Sequence, residues 1–523
     1  HEPVRGRRAS SGMKPSKAFT SRFQAAKRWR DPVRPYIEEI FRFCAPGRES
    51  DFTNRARGDA KTIPEPTVYH SLGEEVATDL AGDLVTYFTP PEARWASYAV
   101  VSEVGEDDQE AVLKIVQERE SDLFNLVSLS NYNDIAPQWA FEAATHGTPA
   151  LWVTQTGLGQ PIHFEAVPPH ELYITPGHLG YLDRFREKMV PADTLEALLA
   201  NDDFAVSFRD EPLKRKMDKP GEMVRVCWGF WLDWSDVNRP RWRMEITVDD
   251  KRVTDEEVVL GDMAGACPLL VGRFNPQPGR PWGRGAGWKA LPDLRVLDKI
   301  DEVVLTNLDQ SLLSTLIYPD DGFLDLSEGI EAGRAYPAHR GFTREQVYEL
   351  QRGGNLDYGF YTEQNFEQRI RTAFYQDGPR QRGETPPTAT QWVDERRRVQ
   401  QRIGKPSAPL WSELIKPLIQ RVEYLGVRSG DLPEAISHAE KDVLVTPISP
   451  LQKAQNNDKV MTTRANLDLA FNVLQDQTVR FIDPIATLRN VVTASGDELL
   501  VIRQEEQPLE PAAQPAAPAV QGQ

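Results

Sequence analysis

Residues Ala290 to Leu316 read ALPDLRVLDKIDEVVLTNLDQSLLSTL, an apolar repeat from which the architecture expected of the chain follows. Leu291, Leu294, Leu297, Ile300, Val304, Leu308 and Leu312 recur at steps of three and four, the spacing that keeps apolar groups on one face of an α-helix. About 27 residues make a helix of roughly 40 Å at 1.5 Å per residue. A lone helix cannot bury so long a face, so it spans a bundle or lies against copies of itself. A core helix of a large globular enzyme would carry the same pattern.

Downstream, Tyr318 to Tyr361 is rich in Gly, Tyr and acidic residues, with short apolar clusters such as Phe323, Leu324 and Leu326 between turn signals, and reads as a small insert. Thr362 to Gln376 reads as a helix with Phe366, Ile370 and Phe374 at steps of four, ended by Asp377-Gly378-Pro379. The loop Gly378 to Pro387 holds two glycines, three prolines and the pair Arg380 and Arg382, which makes it exposed and basic. Thr388-Ala389-Thr390-Gln391 has the form of a capping box, so a second long helix is expected from Thr388. It carries Trp392 and then Arg396, Arg397 and Arg398, breaks near Gly404-Lys405-Pro406, and resumes from Ala408 to Val427 with a kink at Pro417.

With these segments in place, the chain resembles a bacteriophage portal protein, the head-to-tail connector of the podovirus type. The likeness is carried by Arg28-Trp29 with Pro35 to Ile40 and Pro46-Gly47-Arg48, and by Thr145 to Val153 followed by Phe164 to Ile174, a Gly-Thr strand expected to pair with the strand after it. Gly283 to Asp309, Pro319 to Gly322, Thr388 to Thr390 and Val445 to Gln455 complete it. No one of these motifs is diagnostic; their shared order over most of the chain is.

The resemblance implies an α+β portal fold: an α/β wing, a stem of long helices, a small α/β clip and a helical crown, assembled as a ring of about twelve copies around a central channel. It maps as a basic N-terminal arm at 1–28, wing 29–281, descending stem helix 282–316, clip 317–361, returning stem helix 362–376, channel loop 377–387, long kinked helix 388–427, crown 428–503 and disordered tail 504–523. It implies passage of double-stranded DNA at one capsid vertex, in packaging and in ejection. The implied partners are the terminase large subunit, a tail adaptor or head-completion protein, and the major capsid and scaffolding proteins. The implied location is the virion, after assembly in the host cytoplasm. On this mapping Arg380, Gln381 and Arg382 face DNA, with Arg396, Arg397 and Arg398 as a second contact. Asp320, Asp321, Glu328, Glu331, Tyr336 and Tyr348 form a docking surface on the clip, and Leu297, Val304 and Leu308 an interface between stems.

A chain of 523 residues holds three or four domain-sized units. No apolar run approaches the roughly 18 residues of a membrane span. Three cysteines, Cys44, Cys227 and Cys267, lie far apart and fit buried thiols in a reducing compartment better than a disulfide framework. Residues 1–30 hold nine Lys or Arg against one Glu, without the apolar core of a secretory signal. A solvated basic arm fits this composition, and a presequence of mitochondrial type shares it. The end, Gln504 to Gln523, is rich in Pro, Ala and Gln. A net charge of −17 is the wrong sign for a protein that grips phosphates. It suits a conduit, because a ring of such chains, on the order of −200 in formal charge, repels the backbone that slides past it.

Catalytic motifs fail on inspection. Gly378 to Thr385 has the glycine spacing of a phosphate loop, but Glu384 stands where its lysine belongs and no strand precedes it. Gly283, Gly285 and Gly287 lack the full dinucleotide pattern and its strand–helix–strand context, and read as a tight turn into the helix. His163, His170 and His178 match no zinc spacing, and Asp320-Asp321 is a commonplace turn pair. No catalytic residue, metal or cofactor is expected. A capsid-associated scaffold or adaptor, and a soluble hydrolase, remain as alternatives.

Overall fold

A computed structural model describes residues 13–53, 68–91, 94–95, 97–100, 109–155, 162–200, 208, 210–254, 258–262, 265–312, 316–317, 348–349, 356–376 and 402–433, with short pieces between 437 and 491. The chain divides into a large unit, His1–Arg94 with Val100–Val445, and a small one, Trp95–Ala99 with Thr446–Gln523. In the small unit β1 (Ser97–Val100) pairs with β15 (Val445–Ile448). Helix and sheet are mixed throughout the large unit.

Two antiparallel sheets form its centre. One has three strands in the order β10 (Leu269–Val271), β2 (Ala150–Thr154), β3 (His163–Ala166). The other runs β4 (Leu172–Pro176), β5 (Leu182–Pro191), β6 (Met223–Asp233), β7 (Arg241–Val248), β8 (Lys251–Arg252), with β9 (Val258–Asp262) also on β7. The expected pairing after Thr145 is met by β2 and β3, in register Trp152↔Glu165, while Tyr173 and Ile174 join the six-stranded sheet, with Tyr173 opposite Phe185.

Strand alternation decides what each face of the larger sheet meets. Ile174, Leu182, Val226, Trp228 and Phe230 point into the core shared with the smaller sheet, where Trp152 packs 5.4 Å from Trp228. Two arginines on the same face of β5 cross that core. Arg186 binds Glu165 at 2.6 Å and Glu171 at 2.8 Å, and Arg184 donates to the Leu269 carbonyl at 2.7 Å. The opposite face offers Tyr173, Phe185, Cys227 and Trp231 to α1 (Lys17–Arg30), whose Phe19, Phe23 and Ala26 are buried there. Gly229 leaves the room: a Cβ on it would lie 2.7 Å from the Phe19 ring.

Residues 17–28, expected as part of a solvated basic arm at 1–28, pack as a helix instead; residues 1–12 lie outside the described residues. The helix is capped by Ser16, whose Oγ accepts from Phe19 N at 3.0 Å. Lys17 and Arg28 are exposed, whereas Arg22 pairs with Asp183 at 2.7 Å and Arg30 donates to the His170 carbonyl at 2.8 Å, and Phe19 and Phe23 build core. Cys44, Cys227 and Cys267 are free and buried, as expected.

The helical layer holds α2 (Arg34–Cys44), α3 (Leu72–Phe88), α4 (Gln109–Ser128), α5 (Tyr132–Thr145), the long α8 (Ala286–Leu312) and α9 (Leu356–Ala373); the short α6 (Leu195–Ala200) and α7 (Glu211–Met217) flank the sheet. Residues 402–410 form α10, which passes through a π-turn at Trp411–Ile415 into α11 (Lys416–Ser429), ended by left-handed Gly430. The expected break at Gly404-Lys405-Pro406 does not occur. The helix is continuous over 402–410, with Ser407 Oγ donating to the Ile403 carbonyl at 2.7 Å and Asn275 N to the Pro406 carbonyl at 2.8 Å. The irregularity sits one turn later, where Lys416 N–H reaches back to Trp411 O and the widened turn accommodates Pro417, which has no N–H to give.

Candidate functional site

The long apolar segment is helical from Ala286, four residues before its periodicity begins, because Gly283-Arg284-Gly285 is consumed in a junction with the end of α5. There Gly147 adopts φ +89° and its carbonyl accepts from Phe274 N at 2.8 Å, the Phe274 carbonyl accepts from Arg284 N at 2.8 Å, and Thr148 Oγ1 accepts from Gly283 N at 3.0 Å. Trp288 Nε1 donates to the His146 carbonyl at 2.9 Å. A Cβ on Gly285 would lie 2.4 Å from the Thr145 carbonyl oxygen, and one on Gly283 2.1 Å from that of Gly147. The glycine spacing that resembles a nucleotide fingerprint therefore serves backbone contact between two helix ends.

Beneath this junction lies a buried charged group. Glu142 accepts from Arg48 at 2.6 Å and from His146 Nε2 at 2.6 Å, and His146 Nδ1 accepts from Thr148 N, which fixes the proton on Nε2. Burial alone would push the Glu142 carboxyl up; Arg48 and His146 outweigh it and hold the group at about 2, below an ordinary 4.5. A folded value below the unfolded one means stabilisation that is complete above about pH 4.5 and is lost as pH falls towards about 2. Urea unfolding of Glu142→Gln is expected to lack on the order of 3 kcal/mol of the acid-side loss shown by the native chain. Equal slopes in both proteins would assign that loss to other carboxylates.

From this base α8 pairs with α9, and the two lead to β11 (Leu316–Ile317) and β12 (Tyr348–Glu349), which pair antiparallel as Leu316↔Glu349. The hairpin thus closes on either side of residues 318–347, which lie outside the described residues. Helix α9 starts at Leu356, six residues before the expected boundary, and ends at Ala373 before left-handed Tyr375 instead of at Asp377-Gly378-Pro379. Its last turns are tied down by Arg369 to Asp293 at 2.7 Å, Arg371 to Glu75 at 3.1 Å and Gln376 to Asp83 at 2.9 Å.

Burial along α8 changes abruptly. Leu291, Leu294 and Leu297 are buried against the rest of the body, whereas Val303, Leu305 and Leu308 are 46% exposed. Leu297, expected at a contact between subunits, is 1% exposed within its own chain, because α2, α3, α5 and α9 already surround that part of the helix. Val304 is half-buried. The same hairpin is acidic: residues 296–312 carry four carboxylates and one lysine, and residues 356–368 carry three carboxylates and no base. Burial and then the neighbouring Asp298 and Glu367 push the Asp301 carboxyl up, and burial with Asp301 and Glu367 does the same to Glu363.

Arg380, Gln381, Arg382, Arg396, Arg397 and Arg398 lie outside the described residues, as do Asp320, Asp321, Glu328, Glu331 and Tyr336; of Tyr348 only the backbone in β12 is described. Among the described residues no three His, Cys, Asp or Glu side chains come together as a metal site, and no helix is long and apolar enough to cross a membrane.

Residues 16–497 match the family described as bacteriophage head to tail connecting protein. No curated protein sequence matches the chain. Among solved structures, a chain of the virion of a native gene transfer agent particle aligns at 10% identity and TM-score 0.36, covering 87% of this chain and 95% of that one. A chain from the neck of an empty gene transfer agent particle, computed with C6 symmetry, aligns at 11% identity and TM-score 0.33, covering 78% of this chain and 94% of that one.

Proposed function

Since the chain belongs to the bacteriophage head-to-tail connecting proteins, a structural rather than catalytic family, we propose that it is a portal subunit: about twelve copies close a ring at one capsid vertex, and double-stranded DNA enters and leaves through it. The observation that carries this reading is the change along α8, where an apolar stripe buried as far as Leu297 is half-buried at Val304 and 46% exposed at Leu308, with Val303 and Leu305 exposed on the faces beside it. A face of that kind has no cover in a monomer and finds one in a neighbouring copy. The acidic balance of the hairpin supports a bore that DNA slides through without adhering.

In this reading Arg380, Gln381 and Arg382 reach the duplex as a sequence-blind electrostatic contact, with Arg396, Arg397 and Arg398 behind them. The insert at 318–347, with Asp320, Asp321, Glu328, Glu331 and Tyr336, and Tyr348 at its base, docks the terminase large subunit during filling and the tail adaptor afterwards. Capsid and scaffolding proteins hold the outer body, and the finished ring belongs to the virion.

Particle mass and electron micrographs of the purified protein test the ring. The expected result is a closed ring of about twelve 59.1-kDa chains with an open centre. A monodisperse monomer or dimer under all salt conditions would overturn the reading.

A further inference from the structure

Between α1, α2 and the start of α8 a cavity of about 490 Å³ opens, walled by Trp29, Tyr36, Arg280, Pro281, Arg284 and Trp288. Trp29 is 38% and Tyr36 47% exposed, large aromatic surface left in solvent. These rings are held in place. Tyr36 stacks on Trp288 at 5.0 Å, the Trp288 indole is fixed by its bond to the His146 carbonyl, and the Arg284 guanidinium sits 5.0 Å from the Trp288 ring. No carboxylate among the described residues pairs with Arg280 or Arg284.

Fixed aromatic faces beside guanidinium groups that have no carboxylate partner among the described residues suit one kind of ligand. An extended, polyproline-like peptide lays its proline rings on aromatic walls and loses little backbone entropy, because it is already extended when free. Carboxylates on the same peptide reach the arginines, whose planar forks match them. We propose that this cavity docks an acidic, proline-bearing extended segment of a partner protein. A nucleic-acid base is the rival occupant, but Tyr36 and Trp288 each cover one face of the other and Pro32 and Pro281 fill wall, so no slot between two open rings is left for a base, while the exposed surface of Trp29 and Tyr36 suffices for a proline ring. The proposal does not depend on ring assembly.

The peptide QEEQPLEPAAQPAAP, the sequence of residues 504–518, carries both features and serves as the probe. With the full chain and a fluorescent label on the peptide, anisotropy is expected to show saturable binding, weakened about tenfold or more by Arg280→Glu with Arg284→Glu and similarly by Tyr36→Ala. Thermal unfolding of these variants is expected to match the native chain, since the altered side chains are exposed. A peptide with every proline replaced by alanine is expected to bind as weakly as the charge-reversal variant does. Absence of saturation up to about 1 mM peptide, or binding unchanged in both variants, overturns the proposal. So does an oligothymidine that binds more tightly than the peptide and is lost in the same variants, which would make this a nucleic-acid site.

Discussion

Gly147→Ala is expected to cost the chain about 3 kcal/mol or more in urea unfolding, from left-handed strain of roughly 1–2 kcal/mol and overpacking of roughly 1–3 kcal/mol. The added methyl would meet Gly285 N at 2.2 Å while the backbone holds φ +89°. Gly285→Ala, with a Cβ 2.4 Å from Thr145 O, 2.7 Å from Ala144 O and 2.8 Å from Ala143 O, is expected to behave similarly. Each of these neighbours is backbone, held by helix bonds or by the junction itself, so no side chain can swing aside. Gly82→Ala is the control: it lies inside α3 with nothing within 4 Å of an added Cβ, and alanine there is expected to stabilise by about 0.5–1 kcal/mol. A loss below about 1 kcal/mol at Gly147 would show that α5 and α8 separate easily.

Leu305→Asp combined with Leu308→Asp is expected to yield folded monomers that form no ring. Both side chains are 46% exposed in the single chain, so the substitutions leave its unfolding midpoint nearly unchanged. In a ring each would bury an unpaired carboxylate, at several kcal/mol per interface. Leu297→Asp provides the contrast, because that residue is 1% exposed and its carboxylate would unfold the body itself. Rings that survive the double substitution, seen by sedimentation, would place the contact between copies elsewhere.

Local spacing made α8 legible, since a step of three and four survives any surroundings. What the spacing could not show is where cover ends, because the burial of Leu297 depends on α2, α3, α5 and α9, all distant in sequence. For the same reason the stripe looked like one continuous interface. Residues Lys17–Arg30 were hidden by composition: nine bases among the first thirty residues outweigh Phe19, Phe23 and Ala26, although these three share a helical face. The three glycines before α8 were legible as a turn, but the reason for them, the carbonyls of residues 143–145, lies in α5. Pro406 signals a break locally, yet the helix runs through it, held from outside by Asn275, which is distant in sequence and donates to the Pro406 carbonyl. The aromatic cavity gathers Trp29, Tyr36, Arg284 and Trp288 from separate segments, so no local pattern announced it.

Arg184 and Arg186 give the two sheets a memory of their alignment. Dispersion contacts across an apolar core are nearly indifferent to a slip of two residues along a strand, since such a slip restores the same alternation of faces. Directional bonds are not indifferent. Displacing β5 by that step, roughly 7 Å, would carry Arg186 away from Glu165 and Glu171 and Arg184 from the Leu269 carbonyl, stranding buried charge in the core. Sideways load on the sandwich therefore meets a barrier that rises at the first small displacement, and the body creeps less under sustained force than an all-apolar core of equal area would.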